Sequence, residues 1–130
     1  MAKGRGDAMV VIMVICLLVM ALQCKAYEVL RDHVVGGSSG WNMNYKDENW
    51  VGQPGDRTLG AGERYVFNYR KGEHNVVVVN KEGFDNCKTT PTDKVYTSGK
   101  DSITLQHGDN YFICSMKGHC PTMRTSRHVP

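Results

Sequence analysis

Residues 74–80 read HNVVVVN, four consecutive valines between polar residues. A strand with one wet face alternates apolar and polar side chains, so an unbroken β-branched run indicates a strand covered on both faces. Just upstream, Arg64–Tyr69 (RYVFNY) puts Tyr65, Phe67 and Tyr69 on one pleat face and Val66 on the other. Downstream, Ser102–Gln106 and Asn110–Ser115 flank His107-Gly108-Asp109, which reads as a hairpin connection. Tyr27–Val35 alternates in part and stops at Gly36-Gly37-Ser38-Ser39-Gly40, a flexible turn. Asn42–Arg57 is polar and broken by Gly52, Pro54 and Gly55, so loop is expected there, with a short helix around Tyr45–Trp50. No part of 27–130 has sustained helical periodicity. Short apolar segments separated by turn residues suit an all-β sandwich or barrel.

The amino end is different in kind. Ala8–Leu22, AMVVIMVICLLVMAL, is an uninterrupted apolar run of 15 residues, preceded by Lys3 and Arg5 and followed by QCKA. A basic start, an apolar middle and a small residue at Ala26 predict a signal peptide over residues 1–26. A membrane-spanning helix would need about 20 apolar residues. The expected mature chain, 27–130, has 104 residues and no transmembrane span, enough for one modest core. Lys3, Arg5, Lys25 and Asp7 leave with the leader, so the net charge falls from +3 to +1. That balance disfavours nucleic acid as a partner. The cysteines fall from five to three, because Cys16 and Cys24 also leave. In an oxidising compartment three cysteines mean one disulfide and one thiol over.

The stretch Cys114-Ser-Met-Lys-Gly-His119-Cys120-Pro-Thr-Met123 collects a thiol, an imidazole and a thioether within ten residues. A second imidazole, His74, opens the valine strand. Two His, one Cys and a more distant Met form the ligand set of a blue-copper electron-transfer site. Phe112 and Cys114 share a strand face, which points the thiol inward. His119 and Cys120 are adjacent, so one can face a metal while the other bonds elsewhere. Plainer roles suit the remaining candidates: His33, His107 and His128 read as surface residues, and Met116 as a loop hydrophobe. An enzyme using Cys114 as nucleophile and His119 as base would need an exposed, low-pKa thiol. The inward strand position argues against it, so the protein is not expected to be an enzyme.

The segments VVGGSSGW (34–41), YVFNY (65–69), HNVVVVN (74–80), KVYTSGKDSITL (94–105) and YFICSMKGHC (111–120) together resemble the plantacyanins, or basic blue proteins, of the phytocyanin family of plant cupredoxins. The resemblance implies a Greek-key β-barrel of cupredoxin type holding one copper ion, Cu(I) or Cu(II). It places the equatorial ligands at His74, Cys114 and His119, with Met123 the nearest candidate for the axial one. It also implies a Cys87–Cys120 disulfide. In the chain-entropy account, closing a span of 33 positions contributes about 3.5–4 kcal/mol. The implied function is a secreted, monomeric electron carrier between unidentified extracellular redox partners. The alternative is a copper-binding or copper-free cell-wall or signalling interaction protein on the same fold, in the extracellular matrix or apoplast.

Two departures stand out. Plantacyanins usually leave four residues between the loop His and the axial Met, whereas Cys120, Pro121 and Thr122 leave three, and Arg124 stands in the usual Met position. Guanidinium stays protonated and offers no lone pair, so Arg124 cannot substitute. Pro121 restricts the loop further. The expectation is a long or absent axial bond to Met123. Beyond it RTSRHVP stands where the family has an apolar closing strand, so 124–130 is expected to be an atypical, fraying tail.

Overall fold

The computed structural model describes residues 3–25, 31–46 and 60–130. Its elements are helix α1 (Lys3–Lys25), β1 (Asp32–Val34), a 3-10 turn (Gly37–Ser39), β2 (Arg64–Asn68), β3 (Val76–Val79), helix α2 (Lys81–Asn86), β4 (Lys94–Tyr96), β5 (Lys100–Thr104), β6 (Gly108–Ile113) and β7 (Arg124–Val129). The strands form two sheets, β1-β2-β5 and β4-β3-β6-β7. β1 runs parallel to β2, and the other described pairs are antiparallel. This is the all-β sandwich expected.

The valine strand explains the layering. Val76 packs between the sheets with Tyr65 and Phe67 of β2, Ile103 of β5 and Phe112 of β6. Val77 and Val79 face the other way, against Ile113 and Cys120, with Phe84 and Tyr111 packed over them. β3 is therefore covered on both faces, as four valines require. Rings join the sheets: Phe67 and Phe112 have centroids 5.3 Å apart, and Trp41 meets Phe67 edge-on at 5.1 Å. Edge-to-face and tilted contacts of this kind add to the area each ring buries.

The glycine turn after β1 is well defined. Gly36 has φ 79°, and a Cβ there would lie 2.3 Å from the Gly40 carbonyl oxygen. Only glycine lets the chain fold back so tightly. Trp41 then donates its backbone N–H to Asn68 O at 2.8 Å, delivering its indole into the core.

Four expectations need correction or qualification. First, Ser102–Gln106 and Asn110–Ser115 do not form a hairpin: β5 pairs with β2, whereas β6 pairs with β3 and β7. Leu105 keeps the chain on the first sheet by bonding Glu63 O at 2.7 Å. The buried Asn110 side chain then holds the crossing segment, accepting from Gln106 N at 3.0 Å and donating to the carbonyls of Gln106 and Gly108. Second, a short helix, α2, follows the valines. Asn80 caps it by accepting from Gly83 N at 2.8 Å, and Cys87, in the left-handed region with φ 53°, ends it. Six residues are too few to show a helical period. Third, Arg124–Pro130 is not a frayed tail. Arg124–Val129 pairs with β6 over six positions. Thr125 and Val129 are buried inward, which an alternating strand needs at only every second position. Fourth, residues 47–57 of the Asn42–Arg57 loop, and with them most of the helix expected at Tyr45–Trp50, lie outside the described residues, as does Ala26; of the Tyr27–Val35 strand, residues 31–35 are described, and Asp32–Val34 form β1.

Helix α1 is exposed from Gly4 to Leu22, and that stretch of 19 residues is long and apolar enough to cross a membrane by length and composition. It extends beyond the 15-residue apolar run because Gly4–Asp7 joins the helix.

Candidate metal centre

Three segments converge at one end of the sandwich. His74 ends the tight turn in which Glu73 N bonds Arg70 O at 3.1 Å, immediately before β3. Cys114 is the first residue past β6, and its N–H donates to Met123 O at 2.9 Å. His119 lies between them in space, in a compact turn: its N–H donates to Met116 O at 3.0 Å. Its own carbonyl accepts from Thr122 N at 3.1 Å and Met123 N at 2.8 Å. The turn thus places Met123 beside Cys114 through backbone bonds that do not depend on side-chain identity.

The donor atoms meet closely. His74 Nδ1 and His119 Nδ1 are 3.1 Å apart, Cys114 Sγ is 3.6 Å from His119 Nδ1, and one ligand atom from each of the three residues lies within 4.8 Å of the others. Cys114 is fully buried, His74 is nearly so, and His119 is the most exposed of the three. Burial and the neighbouring His119 lower the His74 pKa, with Glu73 opposing them more weakly. A neutral imidazole has a lone pair free for a metal. Met123 is fully buried in the same apolar cluster as Cys114.

The support around this group was not legible in the sequence. Asn75 Oδ1 accepts from Ser115 N at 2.8 Å, while its Nδ2 donates to Ser115 Oγ at 2.8 Å. That clasp ties the residue after His74 to the residue after Cys114. The Trp41 indole N–H donates to Asn75 O at 3.0 Å, bracing the clasp from the core. No spacing rule links residues 40 positions apart, so a lone sequence carries no signal for it. Nearby, Tyr69 donates its O–H to the Asp101 carboxylate, with Tyr96 O a second acceptor within reach at 3.1 Å. Burial, with that carboxylate, pushes its pKa up to about 12, so the phenol stays neutral.

Cys120 is disulfide-bonded to Cys87 and packs in the outer cluster with Val77 and Ile113. The adjacent pair is thus split between the disulfide and the candidate donor group, in a turn and not in extended chain. The other histidines stand apart. His107 bonds Pro130 O at 3.0 Å, and His128 pairs with Asp109 at 2.7 Å, both exposed. His33 is half-buried beside Glu63 at 3.5 Å and not the surface residue expected, because β1 tucks it against the Glu63 side. Met116 packs against the core edge.

Two imidazoles and a thiol, all buried or half-buried and convergent, fit copper: the thiolate favours Cu(I), and the imidazoles serve both oxidation states. The group can hold one copper ion. The plastocyanin-like domain family matches residues 41–123, from the braced Trp41 to Met123. The chain belongs to the phytocyanin family. Basic blue protein of Cucumis sativus is 50% identical over 88 residues, covering 68% of this chain and 86% of that protein. Basic blue protein of Arabidopsis thaliana is 41% identical over 124 residues, covering 92% of each. Among solved structures, cucumber basic protein, described as a blue copper protein, superposes with a TM-score of 0.67 at 44% identity, covering 77% of this chain and all of that one. As a phytocyanin the chain has the cupredoxin-type sandwich expected, with its three candidate donors at one end.

Proposed function

We propose that this phytocyanin is a secreted one-electron carrier whose single copper would be held by His74 Nδ1, Cys114 Sγ and His119 Nδ1, with the Met123 thioether as a further, weak ligand. The convergence of those three donor atoms within 4.8 Å carries the reading. Copper, when bound, supplies a one-electron couple. The protein's own work is positioning. The Asn75–Ser115 clasp and the Trp41 indole hold His74 and Cys114 in register, so the donor set need not rearrange as charge arrives or leaves. His119, the most exposed donor, is the exit toward a partner, an extracellular redox protein or cell-wall component. Cys114 is fully buried, which suits a ligand and not a nucleophile acting on substrate; the protein is therefore a carrier and not an enzyme.

Copper reconstitution tests this. One equivalent should generate an intense visible thiolate-to-copper band and a blue-copper EPR signal. Uptake with no such band, or no uptake, overturns the proposal.

Met123→Leu should leave that band in place and change the EPR signal little, since Pro121 and the shortened loop constrain the thioether's approach. A large change in EPR parameters and potential would show a firm ligand. For localisation, exposed α1 serves as the signal peptide. Amino-terminal sequencing of protein secreted by plant cells should begin near Tyr27; intact chains confined to the membrane fraction would show that α1 is an anchor.

A further inference from the structure

Arg124 is the residue that most disturbs the family pattern, and the structure gives it an occupation. It opens β7 opposite Ile113, on the outer sheet face. From there its Nη1 donates to Phe84 O at 3.1 Å, and its guanidinium lies 5.2 Å from the Phe84 ring centroid. Phe84 packs in turn on Tyr111 of β6, with centroids 5.2 Å apart. Phe84 belongs to α2, and α2 ends at Cys87, which is bonded to Cys120.

These contacts close a ring of connections. From Cys120 the chain runs through Pro121, Thr122 and Met123 to Arg124; from Arg124 the route returns through Phe84, α2 and Cys87 to Cys120. The segment Cys120–Arg124, which carries Met123 and directly follows His119, is thereby gripped at both ends by one short helix. One grip is covalent, and the other is a charge-assisted hydrogen bond combined with a cation–π contact.

We infer that Arg124 is a positioning residue that clamps the shortened 119–123 loop to α2 and so sets how firmly His119 and Met123 are presented to the metal. The inference rests on the copper reading for its functional consequence, and on the polypeptide alone for the clamp. It also accounts for an arginine directly after Met123. A planar guanidinium can stack and donate at once, which an ammonium on a flexible stem cannot do as well.

The test uses full-length mature protein and the variants Arg124→Gln and Arg124→Lys. In the copper-free form, amide hydrogen exchange is read at His119, Thr122 and Met123, whose N–H groups hold the turn. Arg124→Gln should accelerate these amides about tenfold, the order set by one hydrogen bond plus one cation–π contact. Amides of β2 and β5 should be unchanged, and Arg124→Lys should recover only part of the protection. In the copper-loaded form the Gln variant should release copper faster to a chelator and shift the reduction potential. Unchanged loop exchange, or acceleration spread evenly over both sheets, overturns the clamp. So does full recovery by lysine. A wild-type protein lacking the blue band would sink the copper reading while leaving the exchange result to decide the clamp separately.

Discussion

Replacing Cys114 by serine should erase the visible band of the copper-loaded protein altogether. The band requires a thiolate, and Cys120 beside His119 is already committed to the disulfide with Cys87, which leaves Cys114 as the thiol of this group. Serine is close in size, so the cavity term is small, but a hard hydroxyl is a poor donor to Cu(I). Copper affinity should fall by orders of magnitude. The copper-free fold should lose far less, because burying one hydroxyl costs about 1–3 kcal/mol, and His119 Nδ1, now 3.6 Å from the sulfur, lies near enough to offset part of that. The spectrum and a copper titration, set beside thermal unfolding of the copper-free protein, separate the two effects. A variant that stays blue would mean that the thiolate comes from elsewhere.

The second large effect concerns stability. Changing both Cys87 and Cys120 to alanine removes a link closing 33 positions, which the chain-entropy model values at about 3.5–4 kcal/mol. For a domain near 100 residues each kcal/mol moves the midpoint by about 4–8 °C, so the Tm should drop by about 15–30 °C. Cys120 is also buried in the outer cluster with Val77 and Ile113, so lost packing adds to the fall. The loop bearing His119 should loosen at the same time and weaken copper retention. A Tm shift under about 5 °C, the size of one ordinary contact, would show that the outer cluster and Arg124 hold α2 without the covalent link.

Legibility in the sequence followed the range of each physical signal. The valine run announced a strand covered on both sides because burial there leaves its mark on every consecutive residue. Tyr65 and Phe67 announced the inner face through period-2 spacing, and both are fully buried between the sheets. The candidate donors stood out because a thiol, an imidazole and a thioether fall in one short stretch, and the structure brings Cys114 and His119 of that stretch together with His74. Sheet membership was not legible. His107-Gly108-Asp109 has the composition of a hairpin turn, but Leu105 and Asn110 commit the two flanking strands to different layers, and that choice depends on partners far along the chain. The Asn75–Ser115 clasp was hidden for the same reason. Arg124–Val129 was misread because apolar content was counted where backbone pairing and two buried side chains suffice.

Among the described residues, the sheet order leaves β7 at an outer margin, next to β6 alone. A long apolar strand in that position would offer its unpaired backbone groups to a neighbouring molecule. β7 instead carries Arg124, Arg127 and His128 across six residues. Bringing two such margins together would set the arginines of one against those of the other and strip water from them. The polarity that makes RTSRHVP look too weak to finish a fold thus guards against edge-to-edge association and the growth of aggregates.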